Sequence, residues 1–300
     1  MNKVQILMST YNGEKYLKEQ IESILNQENV EISLLIRDDG STDETLNILE
    51  HLAKENKNIH YYASQNIGVA RSFMELVNKS NEADYYAFAD QDDVWKPKKL
   101  ISAIEKLESN IETPSLYISA LEVVDEELNI IEIKKVSGNH CFEGEMAKNF
   151  ATGCTMVFNK KLCDIIKMYN PEYLIMHDSW ITRVCYAIGG NVVIDKNTYI
   201  KYRQHGNNVV GYNDEGFKKL KKQLKIAFVD KVSMRVNIAK ELKSGYEELL
   251  TDNSKELVNN LLSYQTNMKA KMWLLKNKRF RTNIPKIDLK IRMGIILNRF

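Results

Sequence analysis

The chain has 300 residues, of which 44% are hydrophobic and 27% charged, and its formal net charge is +2. This composition is ordinary for a globular protein with a sizeable core and excludes an intrinsically disordered chain, while four cysteines without a CxxC pair argue against a structural zinc site and fit a reducing compartment. No run approaches the length of a membrane-spanning helix and the apolar start is too short for a signal peptide, so the expected location is the cytoplasm.

The first 110 residues alternate between short apolar runs and segments with helical spacing. Strands are predicted at 4–8, 32–40, 59–64 and 84–90, and helices at 14–27, 41–55, 69–80 and 97–109. This alternation predicts a parallel sheet with right-handed crossovers. Ligands of such sheets bind beyond the carboxyl ends of the strands, so the polar segments that follow the strands are the candidate site.

Beyond residue 110 the alternation loosens. Strands are predicted at 115–125, 154–159, 191–195 and 198–205, and helices at 159–169, 177–189, 217–243, 252–278 and 286–300. Residues 216–300 hold 20 Lys and Arg against 7 Asp and Glu, which sets them apart from an acidic front. We therefore predict a main domain over residues 1–215, in two halves that meet near residue 110, followed by a basic helical region over residues 216–300.

The stretch FADQDDVWKP (88–97) places Asp90, Asp92 and Asp93 directly after an apolar strand. Like charges repel, and their burial is costly unless a cation pairs with them. Mg²⁺ and Mn²⁺ prefer oxygen ligands, usually one or two carboxylates together with phosphate oxygens of a substrate. The stretch is either a solvated turn or a metal site, and its position at the sheet edge favours the metal site.

Two further polar stretches follow predicted strands. RDDGSTD (37–43) precedes a helix whose free N–H groups favour an anion, although Asp38 and Asp43 are also explained as caps of that helix. In MSTYNG (8–13), a hydroxyl and an aromatic ring suit a nucleobase, although a simple polar turn explains this stretch equally well.

Taken in order, four motifs of the chain resemble those of the family-2 nucleotide-sugar glycosyltransferases, which have the GT-A fold: STYNGEKYLKEQIESILNQ, RDDGSTDET, NIGVARSF and FADQDDVWKP. Within that group, DQDDVWKPKKL and YRQHGNNVVG are most similar to bacterial rhamnosyltransferases of polysaccharide assembly. The resemblance covers about residues 1–215. It implies a Rossmann-like α/β fold with a mixed, mostly parallel sheet flanked by helices, and a C-terminal helical extension.

The resemblance implies that the first half, residues 1–110, binds the nucleotide. Ser9, Tyr11 and Asp39 would contact the nucleobase, with Asp39 accepting from the pyrimidine N–H group. Arg71, in the NIGVAR segment, would lie near the nucleotide.

The resemblance also assigns the acids of the DQDD stretch. Asp90 and Asp92 form a DxD motif, in which Asp92 would bind Mn²⁺ or Mg²⁺ directly and Asp90 would hold the ribose or a metal-bound water. Asp93 would orient the loop. Some relatives carry an acid where this chain has Gln91, so the ribose contact falls either to Gln91 or to Asp90.

In the second half, residues 111–215, the resemblance assigns the base of an inverting reaction to Asp178. A simple helix cap is the alternative for Asp178, and His177 is a rival base. Arg203 would neutralise charge on the donor diphosphate, and His205 would complete the metal sphere or bond to phosphate.

Together these assignments predict a metal-dependent inverting glycosyltransferase that moves L-rhamnose from dTDP-L-rhamnose onto a cell-surface polysaccharide or lipid-linked glycan. A UDP-hexose donor stays open. A sugar nucleotidyltransferase is a rival, although STYNGEKY is a poor version of the glycine-rich, basic loop expected there. A non-catalytic membrane-associated scaffold is a second rival.

The stretch FKKLKKQLKIAF (217–228) carries an apolar stripe surrounded by lysines. Basic amphipathic helices often lie on anionic membranes, so we predict peripheral contact with the inner face of the plasma membrane. The alternative is a helix packed on the domain with a solvated lysine face. No nucleic-acid partner is expected, because no base-reading motif is present.

Overall fold

The structure is a computed structural model that describes residues 1–205 and 234–300. The basic stretch at 217–228 and the predicted domain boundary near residue 215 lie outside the described residues, so both stay predictions.

The first half alternates strands and helices, as predicted. Its elements are β1 (Asn2–Thr10), α1 (Leu17–Leu25), β2 (Val30–Asp38), α2 (Thr45–Glu55), β3 (Ile59–Ala63), α3 (Val69–Lys79), β4 (Tyr85–Ala89), the two-residue β5 (Val94–Trp95) and α4 (Lys99–Leu107). Strands β3, β2, β1 and β4 lie side by side in that order and pair in parallel. Both faces of these strands are covered, which explains their nearly continuous apolar sequences.

Successive side chains of the central strands point to opposite faces of the sheet. Leu7 and Phe88 belong to the core on one face, and Ile6 and Ala87 belong to the core on the other. Helix α3 covers the first face, and helices α1, α2 and α4 cover the second.

The second half completes the sheet with antiparallel and parallel pairings. It comprises β6 (Ser115–Val124), β7 (Ile130–Lys134), α5 (Phe142–Ala147), β8 (Val157–Asn159), α6 (Lys160–Lys167), α7 (His177–Ala187) and β9 (Asn191–Arg203). Strand β8 pairs antiparallel with β4 and β6, β9 runs parallel to β6, and β5 pairs antiparallel with β9. The mixed sheet flanked by helices confirms the predicted fold class.

The prediction of two strands at 191–195 and 198–205 is wrong, because β9 runs through both as one strand. The segment between them looks like a turn in the sequence, and the Asn197 N–H does donate to the Asp195 carboxylate at 3.0 Å. Pairing with β6 continues past this local turn, and its register shifts there. The sequence also gave no indication of β5, β7 or α5.

The last described helices are α8 (Met234–Tyr246), α9 (Asp252–Ser263), α10 (Met268–Lys276) and α11 (Pro285–Ile296). The single helical stretch predicted at 252–278 is divided, because Asn267 caps a new helix by accepting from the N–H groups of Lys269 and Ala270. Trp180 of α7 and Leu242 of α8 belong to one core cluster, so α8 packs on the second half of the sheet. Within residues 1–205 and 234–300, no helix combines the length and apolarity needed to cross a membrane.

The strand register brings three loops to one edge of the sheet. Met8 of β1 pairs with Ile36 of β2 and with Ala89 of β4, so these three strands end at nearly the same height. The segments that follow them are the three polar stretches singled out in the sequence. The fold therefore gathers them beyond the carboxyl ends of neighbouring parallel strands.

Candidate functional site

The segment after β2 is held by a buried ion pair. Arg37 pairs with Asp39, and Asp39 also accepts from two backbone N–H groups just before α3, at 2.9 and 3.0 Å. The Arg37 guanidinium donates to Ser72 Oγ at 3.3 Å, and Ser72 Oγ lies 2.6 Å from Ser9 Oγ. Two residues expected at the nucleobase, Ser9 and Asp39, therefore belong to one hydrogen-bond network.

Gln91 ties the loop after β4 to the loop after β1. Its side-chain oxygen accepts from the Tyr11 N–H at 2.9 Å, and its amide nitrogen donates to the Tyr11 carbonyl at 3.0 Å. Gly13 leaves room for this side chain, since a Cβ there would collide with it. The Tyr11 ring is 49% exposed and stays open to a ligand, whereas a ribose contact from Gln91 would require it to leave the Tyr11 main chain.

The acids of the DQDD stretch have different neighbours. Asp92 Oδ2 lies 2.8 Å from His205 Nε2, so these two predicted metal ligands are in contact. The third predicted ligand, Asp90, forms a group with Asp93 and Cys154 whose ligand atoms all lie within 4.8 Å of one another. Asp93 is fully buried, and its Oδ2 has no hydrogen-bond partner in the described part of the chain.

Asp90 shows that the acids of both halves converge. Burial, and then the negative charges of Asp92 and Asp178, raise the pKa of Asp90 to about 7. The carboxyl of Asp90 is therefore close enough to interact electrostatically with Asp92 in its own loop and with Asp178 of α7. Carboxyl groups are therefore crowded here, and a bound cation would favour their charged forms.

A buried lysine lies beside this group and was not singled out in the sequence. Lys99 is 1% exposed, its Nζ lies 3.6 Å from the centre of the Trp95 ring, and it has no hydrogen-bond partner in the described part of the chain. Burial lowers the pKa of Lys99 to about 7, while the charges of Cys154, Asp93 and Asp90 favour its protonated form. Lys99 begins a helix that contains several lysines, so the sequence alone indicates a solvent-exposed residue.

Asp178 and His177 begin α7 in different environments. Asp178 is 7% exposed and accepts from the Ser179 N–H at 2.5 Å, and burial raises the pKa of Asp178 to about 6. The His177 ring stacks on Phe73 with centroids 4.0 Å apart and meets Phe88 edge-on at 4.8 Å. Burial lowers the pKa of His177 to about 3, so it is a weak base packed in the core, and the geometry favours Asp178 over this rival.

Arg203 is buried among protein groups. Its guanidinium pairs with Glu19, donates to the carbonyls of Asp92 and Glu126, and lies 4.5 Å from the centre of the Tyr16 ring. Only 2% of the residue is exposed. These contacts fix the main chain at Asp92, and the predicted contact with a diphosphate would require the side chain to leave them.

Arg71 is likewise engaged with protein. It donates to the carbonyls of Pro171 and Glu172, in the loop that leads to α7. Glu241 of α8 accepts from the N–H groups of Glu172 and Tyr173, both at 3.0 Å. The loop before Asp178 is therefore held by Arg71 of α3 and by Glu241 of α8.

Gly153→Ala is expected to lower kcat by about 10 to 100-fold, because small displacements of a reacting group have effects of this size. A Cβ at Gly153 would lie 2.6 Å from His177 Nε2 and 3.5 Å from Asp178 Cβ, so His177 and the start of α7 must shift. Turnover and urea unfolding should be measured together. Gly294→Ala in α11, where no neighbour lies closer than 3.2 Å to the new Cβ, is the matched control. An unchanged kcat in Gly153→Ala would contradict the position given to Asp178.

Comparison with known sequences identifies glycosyltransferases as relatives of this chain. Residues 5–164 match the profile of the family described as Glycosyl transferase family 2. The dTDP-rhamnosyl transferase RfbG of Shigella flexneri is 31% identical over 69% of this chain and 74% of its own length. An uncharacterized glycosyltransferase of Haemophilus influenzae is 24% identical over 86% of this chain and 84% of its own length.

Solved structures show the same architecture. The crystal structure of residues 1–349 of Staphylococcus aureus TarS in complex with UDP-GlcNAc superposes with a TM-score of 0.61 at 17% identity, covering 99% of this chain and 82% of that one. At this identity the likeness concerns the fold, and it confirms the GT-A architecture expected from the four motifs.

Proposed function

The chain belongs to glycosyltransferase family 2 and is a glycosyltransferase, and we propose that it transfers L-rhamnose from dTDP-L-rhamnose. The transfer inverts the anomeric configuration, and the acceptor is a cell-surface or lipid-linked glycan. The observation that carries this proposal is the proximity of the two loops: Asp90 groups with Cys154, and the neighbouring Gly153 adjoins the buried Asp178. The similarity to a dTDP-rhamnosyl transferase supports rhamnose as the sugar. The fold shared with a UDP-GlcNAc complex supports a nucleotide-sugar donor and keeps a UDP-hexose as the alternative.

The nucleotide lies across the ends of β1 and β2 in this proposal. Tyr11 is exposed and stacks on the base, and Asp39 accepts from the pyrimidine N–H. Asp39 Oδ2 has one backbone donor, at Gly68, and a carboxylate oxygen can accept two, which leaves capacity for the base. Ser9 adds a hydroxyl nearby, and Asp90 is better placed than Gln91 for the ribose, because Gln91 is bonded to the main chain of Tyr11.

A divalent ion, Mn²⁺ or Mg²⁺, is part of the proposal. Asp92 and His205 would supply an oxygen and a nitrogen ligand, and Asp90, which groups with Asp93 and Cys154, would be a further ligand only if its side chain turned toward Asp92. Burial and neighbouring carboxylates raise the pKa of both Asp90 and Asp93, so their charged forms are disfavoured until a counter-charge is present, which fits a cation site. When bound, the ion neutralises charge on the donor diphosphate.

Asp178 acts as the general base. Its carboxylate removes the proton from an acceptor hydroxyl, whose oxygen forms a bond to the anomeric carbon as the bond to the nucleotide diphosphate breaks. The attack comes from the face opposite the leaving group, which inverts the anomeric configuration. The loop fixed by Arg71 and Glu241 holds Asp178 in position for this step.

The proposal includes a cytoplasmic location with peripheral contact to the inner face of the plasma membrane. A lipid-linked acceptor would be reached there, and the positive excess in residues 216–300 suits an anionic surface.

A donor panel tests the function directly. The protein is incubated with Mn²⁺ and dTDP-L-rhamnose, dTDP-glucose, UDP-glucose or UDP-GlcNAc, with and without a lipid-linked glycan fraction, and release of nucleotide diphosphate is measured. We expect release from dTDP-L-rhamnose that rises when the acceptor fraction is present. Release from a UDP-sugar alone would favour the alternative donor, and release of a nucleoside monophosphate or pyrophosphate would point to a different reaction class.

The pH dependence of kcat/KM should follow the ionisation of the Asp178 carboxyl. A general base must be deprotonated, so activity is present above its pKa and is lost as the pH falls through about 6. We expect kcat/KM to fall about tenfold per pH unit below that point. Asp90→Asn removes the carboxyl whose pKa is about 7, so a limb near 6 that persists in this variant belongs to another group, which we assign to Asp178. A profile that stays flat well below 6 would exclude Asp178 as the base.

A further inference from the structure

Helix α11 is apolar on two opposite faces. One face packs on the protein through Ile291 and Ile295, which are 6% and 1% exposed. The other face presents Leu289, Met293 and Ile296 at spacings of four and three residues, so that they form one row along the helix. These three side chains are 60%, 52% and 57% exposed, and Leu297, 58% exposed, extends the row at the C-terminal end. We call these four residues the α11 surface.

The α11 surface belongs to a firmly anchored segment. The Tyr264 hydroxyl lies 3.1 Å from both the carbonyl and the N–H of Phe300. The Phe300 ring packs edge-on against Phe280, and the Arg235 guanidinium lies 4.1 Å from its centre. Lys271 of α10 donates to the carbonyl of Ile296 at 3.4 Å. The apolar row is therefore held facing outward by the fold.

Positive charge surrounds the α11 surface. Residues 268–300 contain ten Lys and Arg and one acid, Asp288. Lys286, Lys290 and Arg292 are exposed on α11 itself. The single carboxylate, of Asp288, accepts from the N–H and the hydroxyl of Thr282 at 2.6 and 2.8 Å, and it is outnumbered by the ten cationic side chains.

We propose that the α11 surface inserts into the headgroup region of an anionic lipid bilayer. A row of Leu, Met and Ile flanked by lysine and arginine matches a membrane interface, where apolar side chains enter the acyl boundary and cations meet lipid phosphates. A second copy of this chain fits less well, since a symmetric contact would set like charges against each other. The inference deepens the membrane contact of the proposed function by assigning it to a defined face.

Vesicle co-sedimentation of the full chain tests this inference without donor or acceptor. Vesicles of phosphatidylglycerol with phosphatidylcholine are compared with vesicles of phosphatidylcholine alone. We expect the protein to bind the anionic vesicles about tenfold more strongly, and added salt to weaken the binding. The variant Leu289→Ser/Met293→Ser/Ile296→Ser should lose about tenfold of its partitioning, because its apolar insertion is removed.

The matched control lies on β7. Ile130, Ile131 and Ile133 are 59%, 52% and 56% exposed, so Ile130→Ser/Ile131→Ser/Ile133→Ser removes a similar apolar area elsewhere and should leave partitioning unchanged. Circular dichroism melting checks that each variant is folded. Equal loss in both variants, equal binding to both vesicle types, or no binding by the unaltered chain would overturn the inference.

Two other outcomes separate this inference from its rivals. A dimer in sedimentation velocity that the α11 variant dissociates, with no vesicle binding, would assign the face to a second copy and overturn the lipid proposal. Vesicle binding by a chain that releases no nucleotide diphosphate in the donor panel would support the α11 surface and contradict the proposed function alone.

Discussion

Replacing Asp178 by asparagine is expected to lower kcat by about 10²–10⁴-fold, the range over which a positioned general base contributes. Asparagine keeps the shape of the side chain and can still accept from the Ser179 N–H through its oxygen. It cannot take the proton from an acceptor hydroxyl. The proposed donor site lies in the first half of the sheet, so nucleotide affinity should change little.

Stability should not explain the loss in Asp178→Asn. Burial already disfavours the charged form of Asp178, and this raises its pKa to about 6. A neutral amide therefore removes a buried charge at neutral pH, and the melting temperature should stay constant or rise. Single-turnover kinetics with saturating donor, together with calorimetric titration of dTDP, separates the chemical step from binding.

Asp195→Asn is a matched control for this variant. Asp195 is 5% exposed, close to the 7% of Asp178, and it accepts from the Tyr117 hydroxyl at 2.8 Å. A normal kcat in Asp195→Asn beside a large loss in Asp178→Asn would tie the effect to the site. An Asp178→Asn enzyme with more than a third of normal turnover would remove Asp178 from the mechanism.

The sequence predicted that the candidate site lies at the carboxyl edge of the parallel strands, because this edge can be located from local sequence patterns. Apolar runs that end in polar residues fix both the strands and the direction in which they end, and parallel pairing then gathers the ends. The neighbourhood of Asp39, Asp90 and the loop after β1 follows from these rules alone. That Asp178 comes from the second half was supplied by the family resemblance, since no periodic pattern places α7 against β4.

The partners of the arginine and lysine side chains around the site could not be predicted from the sequence. Arg203 was expected at a phosphate because it follows a strand in a polar stretch, yet its partner Glu19 lies far away in the sequence. Lys99 stands in a stretch of lysines, and only the packing of Trp95 reveals that it is buried. A charged residue has the same local signal whether it faces solvent, another residue or a ligand, so its partner depends on tertiary structure.

The proposed metal dependence predicts the second large effect, on nucleotide binding. Asp92→Asn is expected to abolish the enhancement of nucleotide binding by Mn²⁺, which for a diphosphate held through an ion we place at about 10²-fold. Asp92 touches His205 at 2.8 Å, and this pair would lose its one carboxylate. In the absence of Mn²⁺, calorimetry should give similar affinities for the variant and the unaltered chain, because Tyr11 and Asp39 are unchanged.

A readout independent of turnover makes this test decisive. The electron paramagnetic resonance signal of free Mn²⁺ falls as the ion binds, so titration of the protein in the presence of dTDP gives metal affinity directly. Asp125→Asn, an acid whose carboxylate accepts from Asn129 at 2.8 and 3.0 Å in the turn after β6, should titrate like the unaltered chain. His205→Gln should weaken Mn²⁺ binding less than Asp92→Asn, since it removes a neutral ligand and keeps the charge. If dTDP binds equally well with and without Mn²⁺ in the unaltered chain, the crowded acids serve another purpose, and Lys99 becomes their main counter-charge.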